Sequence, residues 1–178
     1  MVRQICQHLD IQEIELRTRE SEDVKPYLQE MEYEKVEIPF PAEFVEIKIL
    51  LKTIWDSCIE QLKNRKLLFG PANKITILKL QANLAKQAAS RNFNALRGMS
   101  LTAQAFKISH ALELLETQTL SGVYEYMKGL IKQAEEKKSK AVQKLVTTPQ
   151  FNAALISITN LLTKKIEHPK IEELAVRI

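Results

Sequence analysis

Pro41-Ala-Glu-Phe-Val-Glu-Ile-Lys-Ile-Leu-Leu-Lys-Thr-Ile-Trp-Asp-Ser-Cys-Ile-Glu-Gln-Leu62 is the stretch on which the fold class turns. Within it Phe44, Ile47, Leu51, Ile54, Trp55, Cys58 and Leu62 recur at intervals of three and four. That period lines one face of an α-helix, whereas a half-buried strand would alternate. The spacing predicts a helix over about 42–65 that buries this stripe. Trp55 lies on the stripe, so core packing is a better reading of it than a platform for stacked bases.

The same period continues toward the C-terminus. Leu67 to Ala72, with Gly70-Pro71, reads as a turn. Asn73 is a good N-cap for a helix over about 74–90. There Ile75, Leu78, Ala82, Ala85 and Ala89 form one apolar row, and Ile77, Leu80, Leu84 and Ala88 another. Burial on both rows would leave the sector of Thr76, Lys79, Asn83, Lys86 and Gln87 for solvent, with Lys79 and Lys86 pointing the same way. A break around Ser90–Gly98 is expected next, then helices at about 100–118 and 123–137, a short one ending near Val146, one from Pro149 to about 166, and a last from about 170. Glycine is costly inside a helix, so Gly98 between two helical stretches predicts a bend or a close backbone approach.

Toward the N-terminus the period changes. Ile14 and Leu16 alternate with Glu13, Glu15 and Arg17, and residues 32–38 alternate again before Pro39-Phe-Pro41. Proline cannot donate to a ladder, so two short strands are expected, the margin of a sheet that lies elsewhere. The fold class is therefore mainly α, a compact bundle of about five to six helices with one or two short strands in the first 40 residues. No internal repeat or low-complexity tract interrupts this pattern.

The 178 residues, 45% apolar and 27% charged, are enough for one domain with a real core. Only 4 Gly and 6 Pro leave little material for the turns of an all-β fold. Neither a membrane span nor a signal peptide is visible. Cys6 and Cys58 form no C-x-x-C pair, so a reducing, cytoplasmic setting is expected. The net charge of +4 conceals an asymmetry: residues 1–46 hold 5 Lys/Arg and 12 Asp/Glu, whereas residues 47–178 hold 21 and 10. Between Gln61 and Leu112 there are nine basic residues and no carboxylate: Lys63, Arg65, Lys66, Lys74, Lys79, Lys86, Arg91, Arg97 and Lys107. Ordinary soluble surfaces intersperse both signs, so such a run points to a surface that faces phosphates, against the plainer reading of a solubilising face. Lys137, Lys138 and Lys140 form a second cluster diluted by Glu135 and Glu136.

Catalytic patterns are missing. No G-x-x-x-x-G-K-[ST], G-x-S-x-G, H-E-x-x-H or dinucleotide fingerprint occurs. His8, His110 and His168 have no local partner at metal spacing. His110 reads as structural, and His168 sits before Pro169, where a helix boundary is expected. Arg97 beside Gly98 is a candidate phosphate anchor, with a plain solvated side chain as the alternative.

Glu13-Ile-Glu-Leu-Arg-Thr18 followed by Asp23-Val-Lys-Pro-Tyr27 resembles the end of the first RecA-like domain in archaeal Hef-type helicases. These are superfamily 2 DNA helicases related to the Fanconi anaemia M-type translocases. Leu96-Arg-Gly98 and Ser109-His-Ala-Leu-Glu-Leu-Leu-Glu-Thr-Gln118 resemble that family's helical, thumb-like insert, and Glu167-His-Pro-Lys-Ile-Glu-Glu-Leu174 is similar to the segment leading into the second RecA-like domain. The resemblance implies three parts: residues 1–40 as the acidic edge of the first motor domain, 41–166 as the basic insert, and 167–178 as the start of the second motor domain. It also implies a part of an ATP-dependent helicase that acts on forked or branched DNA in repair.

The expectation is thus a DNA-binding module that grips the phosphate backbone through Lys63, Arg65, Lys66, Lys74, Lys79, Lys86, Arg91, Arg97 and Lys107. Neutralising about five phosphates would give a salt slope near −4.5. No catalysis is expected of these residues alone, and no cofactor. The resemblance places ATP and magnesium in the motor domains of the parent protein. Expected partners are duplex or branched DNA and the two motor domains, without a membrane, in a nucleoid-associated setting. The alternative is a helical interaction or regulatory module whose basic face docks an acidic partner or controls motor-domain closure.

Overall fold

A computed structural model of the chain describes residues 2–28, 33–88 and 92–177. The chain divides into two compact units, residues 1–37 and 38–178. In the first, α1 (Val2–His8) is followed by a single 3-10 turn at Lys25–Tyr27. Among the described residues there is no strand, which corrects the expectation of strands near residues 11–17 and 33–38, residue 32 lying outside the described residues. An extended segment becomes a strand only when a neighbour takes up its N–H and C=O groups, and alternation alone supplies no neighbour. Ile14 and Leu16 are accordingly 66% and 80% exposed. Arg17 pairs with Glu15 and, at 3.0 Å, with Asp23, which ties this unit's loop together.

The second unit is a helical bundle: α2 (Ala42–Asn64), α3 (Lys74–Ala88), α4 (Phe93–Thr117), α5 (Leu120–Glu135), α6 (Lys140–Val146), α7 (Pro149–Thr163) and α8 (Pro169–Arg177). With α1 that makes eight α-helices among the described residues, rather than five or six. The stripe of α2 is buried as its period predicts: Phe44, Ile47, Leu51 and Leu62 are fully enclosed. Each such side chain contributes about 1.5–3 kcal/mol by leaving water. Trp55 packs half-buried on the same core.

The 25-residue α4 is the axis of the bundle, packed against α2, α3, α5 and α6. Its buried residues, among them Ala95, Gly98, Leu101, Thr102, Gln104, Ala105, Ile108, Ala111 and Leu115, spread around the helix rather than along one stripe. That distribution is what a helix surrounded by neighbours requires. Its buried polar side chains are satisfied within the helix: the Thr102 hydroxyl donates to the Met99 carbonyl at 3.0 Å, and the Gln104 amide to the Ser100 carbonyl at 3.1 Å.

Helix α4 starts at Phe93, seven residues earlier than the period suggests, because Asn92 caps it. The Asn92 side chain accepts from the backbone N–H of Asn94 and of Ala95, at 3.0 and 3.2 Å. Gly98 therefore lies inside the helix, and of the two readings of it the close approach is the correct one. A Cβ at Gly98 would sit 2.6 Å from Leu67 Cδ1 and 2.9 Å from Leu84 Cδ1. A second correction concerns α3. Only Ile77 and Leu84 of its apolar positions are fully buried, while Ile75 and Leu78 are 65% and 43% exposed. One neighbour, α4, covers one row, and among the described residues no other helix covers the row of Ile75, Leu78, Ala82 and Ala85. Ala89 lies outside the described residues.

Candidate nucleic-acid interface

Three adjoining clefts follow the face of α4 that looks toward α2 on one side and α6 on the other. The largest, about 550 Å³, lies between α4 and α6 and is lined by Arg97, Ser100, Lys140 and Lys144 together with apolar residues of α4. A second, about 230 Å³, shares Arg97, Ser100 and Lys144 and adds Gln61, Gln104 and Thr148. A third, about 220 Å³, shares Gln61, Gln104 and Thr148 and continues along α2 past Thr53 and Ser57. The shared residues make these one continuous groove. Its walls hold three cations, several hydroxyls and amides, and no carboxylate.

Each element contributes for a local reason. Arg97 is exposed because its neighbour Gly98 takes the buried position beneath Leu67 and Leu84. Ser139 precedes α6, and Lys140 and Lys144, one turn apart, share a face of it while Ala141, Val142 and Leu145 face the core. At the end of α2, Arg65 reaches across to α4 and donates from Nη1 to Asn94 Oδ1 at 3.3 Å. Asn94 lies three residues before Arg97, so Arg65 extends the positive edge of the groove. Lys63 and Lys66 are exposed beside it.

The remaining candidates are distributed elsewhere. Lys74 is committed to Glu113, with Nζ at 2.8 and 2.7 Å from its two carboxylate oxygens, and lies 5.7 Å from the Phe106 ring centroid. The hydrogen bond from Lys74 is the main reason the Glu113 carboxyl is held below its ordinary range, with His110 adding to it from 3.6 Å. His110 also meets the Tyr126 ring edge-on at 4.8 Å, a structural role as its position suggests. Lys107 is half-buried, with Nζ 3.4 Å from Gln133 Oε1. Its carbonyl accepts from the Tyr126 hydroxyl, whose pKa burial pushes up to about 12. Lys79 and Lys86 share the outer face of α3 with the uncovered Ile75 and Leu78, and do not line the groove. Arg91 lies outside the described residues.

Of the second lysine cluster, Lys138 is paired with Glu136 at 2.5 Å, Lys137 is exposed, and Lys140 enters the groove. Lys144, Gln61, Gln104 and Thr148 were not among the sequence candidates. For Lys144 a signal exists: residues 137–166 hold six lysines and no carboxylate, a second acid-free run.

The lining of the groove combines three cations with hydroxyls and amides. Burial pushes the Cys58 thiol at its floor up to about 11, which removes it as a nucleophile. Among the described residues no group of three His, Cys, Asp or Glu side chains could hold a metal ion. No helix of the described residues is long and apolar enough to cross a membrane. The sequence has no glycine-rich phosphate loop to fit ATP, so no nucleotide step is assigned to these residues.

A family model described as the helical bundle of putative ATP-dependent RNA helicases matches residues 43–167. A putative ATP-dependent RNA helicase of Methanocaldococcus jannaschii is 30% identical over 176 residues, covering 96% of this chain and 21% of the relative. An ATP-dependent DNA helicase of Sclerotinia sclerotiorum is 24% identical over 181 residues, covering 96% of this chain and 15% of the relative. Among solved structures, the helicase domain of Pyrococcus furiosus Hef matches with a TM-score of 0.71 at 27% identity, over 97% of this chain and 37% of that one. The chain thus spans about a fifth or less of the curated relatives it matches.

Proposed function

The chain belongs to the helical-bundle family of ATP-dependent helicases, and from that membership we propose that its bundle grips forked or branched DNA through the groove between α2, α4 and α6. The observation that carries the reading is the continuous carboxylate-free wall of Arg97, Lys140 and Lys144, prolonged by Arg65. Lys and Arg at such a wall neutralise phosphates and position a duplex without reading its bases. Helicase action itself belongs to the parent protein in this reading, with ATP and magnesium in motor domains outside this chain. Residues 1–40 and 167–178 are then the margins of those two motor domains, and the setting is the nucleoid.

The test is a fluorescence-anisotropy titration of forked DNA, linear DNA duplex and RNA duplex at two salt concentrations. With about four phosphates neutralised, the slope of log K against log salt is near −3.6. Replacing Lys140 and Lys144 together by alanine should reduce its magnitude by about 2. A slope that is flat, or unchanged in the double variant, removes the groove from consideration. Tighter binding of RNA duplex than of either DNA would reassign the nucleic acid.

A second reading has its own observation. The outer face of α3 leaves Ile75 and Leu78 uncovered beside Lys79 and Lys86, which suits an acidic, apolar-edged protein surface such as a motor domain. Binding of a protein partner that survives loss of Lys140 and Lys144 but not of Ile75 would favour it.

A further inference from the structure

The widest part of the groove is not simply cationic. Phe93, the first residue of α4, is 84% exposed, and Leu96 one turn on is 47% exposed. Both line the same cleft as Met99 and Ala103, positions that recur along one side of the helix. The same cleft is lined by Lys140 and Lys144 of α6 and by Arg97 of α4. An exposed aromatic alone requires no explanation. An exposed aromatic at the mouth of a cleft, continued by two apolar side chains and ringed by three cations without a carboxylate, is a specific combination.

Its two halves select one class of ligand. The cations want a polyanion, and the apolar side wants a flat apolar face. The backbone of a paired duplex satisfies only the first, because its base faces are already stacked on each other. An unpaired nucleotide presents both, a phosphate and a free base face, at the spacing of one repeat.

We propose that Phe93, Leu96 and Met99 form a stacking platform for an unpaired base, with Arg97, Lys140 and Lys144 holding the flanking phosphates, so that this end of the groove takes the single-stranded segment of a branched nucleic acid. The inference rests on the phosphate-groove reading and adds the class of strand to it. Apart from that groove it requires only that Phe93 be free to stack, which its exposure provides.

The experiment compares the 178-residue chain with its Phe93→Ala and Phe93→Trp variants. The probes are a single-stranded oligonucleotide of about 12 nucleotides, an abasic strand of the same length, and a blunt duplex. The wild-type chain should bind the ordinary strand about tenfold more tightly than the abasic one. Phe93→Ala should erase that preference and weaken strand binding more than duplex binding, while Phe93→Trp should keep it. Circular dichroism establishes that the helices persist in both variants. Equal wild-type affinity for ordinary and abasic strands overturns the platform, and so does an equal loss on strand and duplex in Phe93→Ala. If duplex binding stays salt-dependent in either case, the groove reading stands and the platform alone fails. If the duplex is not bound at all, the groove reading fails first and the platform with it.

Discussion

Gly98 and Gly129 are both helical glycines, yet their surroundings oppose each other. At Gly129 of α5 a Cβ would meet nothing within 4 Å. Alanine there should stabilise the bundle by up to about 1 kcal/mol, the ordinary helix-propensity difference. At Gly98 the same change would displace the side-chain ends of Leu67 and Leu84. Overpacking of about 1–3 kcal/mol then outweighs the propensity gain, and the net effect is a loss of about 1 kcal/mol. Denaturant midpoints of the two variants should move in opposite directions. His168 makes a second prediction at this scale. Its Nδ1 accepts from the Lys170 N–H at 3.2 Å, its Nε2 is buried without a protein partner, and its ring meets Phe44 edge-on at 5.7 Å. Burial holds its pKa below the ordinary value of 6.5, with Lys170 adding to the effect. The folded state therefore prefers the neutral ring, so its contribution is fully present above pH 6.5 and is lost as pH falls through the lower folded value. Melting temperature should drop between pH 7.5 and 5.5, and His168→Asn, which can keep the cap through its side-chain oxygen, should flatten that drop. A variant as pH-sensitive as the wild type would place the proton elsewhere.

At the scale of elements, the starts of α3 and α7 were legible, whereas those of α4 and α5 come seven and three residues earlier than the period suggests. The helix ends hold a surprise. Asn73, Thr119 and Pro149 announce their helices by ordinary capping chemistry: Asn73 Oδ1 accepts from the Thr76 N–H at 2.8 Å, and the Thr119 hydroxyl from the Gly122 N–H at 3.1 Å. Asn92 carried the same signal, but Gly98 outweighed it in the sequence because a glycine used for packing looks like a glycine used for bending. The strands were misread for the opposite reason: alternation is local, whereas pairing depends on a partner that sequence alone does not supply. The helix ends use Lys66, Lys137 and Lys165, each in the left-handed conformation at φ 56°, 54° and 57°. Each closes the same pair of bonds, as when Lys137 N–H donates to the Ala134 carbonyl at 3.0 Å and Lys138 N–H to the Gln133 carbonyl at 3.2 Å. Glycine normally fills this position, since a side chain there costs about 1 kcal/mol. Lysine in return puts a cation beside the negative end of the helix. Lys137→Gly should raise stability by about 0.5–1 kcal/mol in low-denaturant extrapolation, with the gain larger at high salt, where the lysine's dipole interaction is screened. A loss at both salt concentrations would mean that the cation matters more than the backbone.

Across the whole molecule, charge is partitioned between the two compact units rather than mixed. Residues 1–37 hold 5 basic and 10 acidic residues, whereas residues 38–178 hold 21 and 12. The basic asymmetry was plain in the sequence, but its division into a groove, an outer α3 face and the Lys74–Glu113 pair was not, because that division depends on how α3 and α6 pack against α4. Among the described residues the hydrophobic core draws on those from Phe40 onward, so a chain beginning at residue 38 keeps every described residue of that core. Removing the first 37 residues changes the net charge from +4 to +9, and the bundle's field is then no longer offset by an acidic neighbour in the same chain. Encounter with a polyanion is governed at low salt by that summed field. The truncated chain should therefore associate with duplex DNA faster than the full chain at about 10 mM salt, where the Debye length is about 30 Å, and at nearly the same rate at 1 M, where it is about 3 Å. Stopped-flow anisotropy at the two salt concentrations measures both rates, and melting curves of the two chains verify that the bundle is intact. Equal rates at low salt would mean that the acidic residues lie too far from the groove, or are too well paired among themselves, to be felt there. A faster truncated chain would show that the acidic charge of residues 1–37 slows encounter with a polyanion without altering a single groove residue.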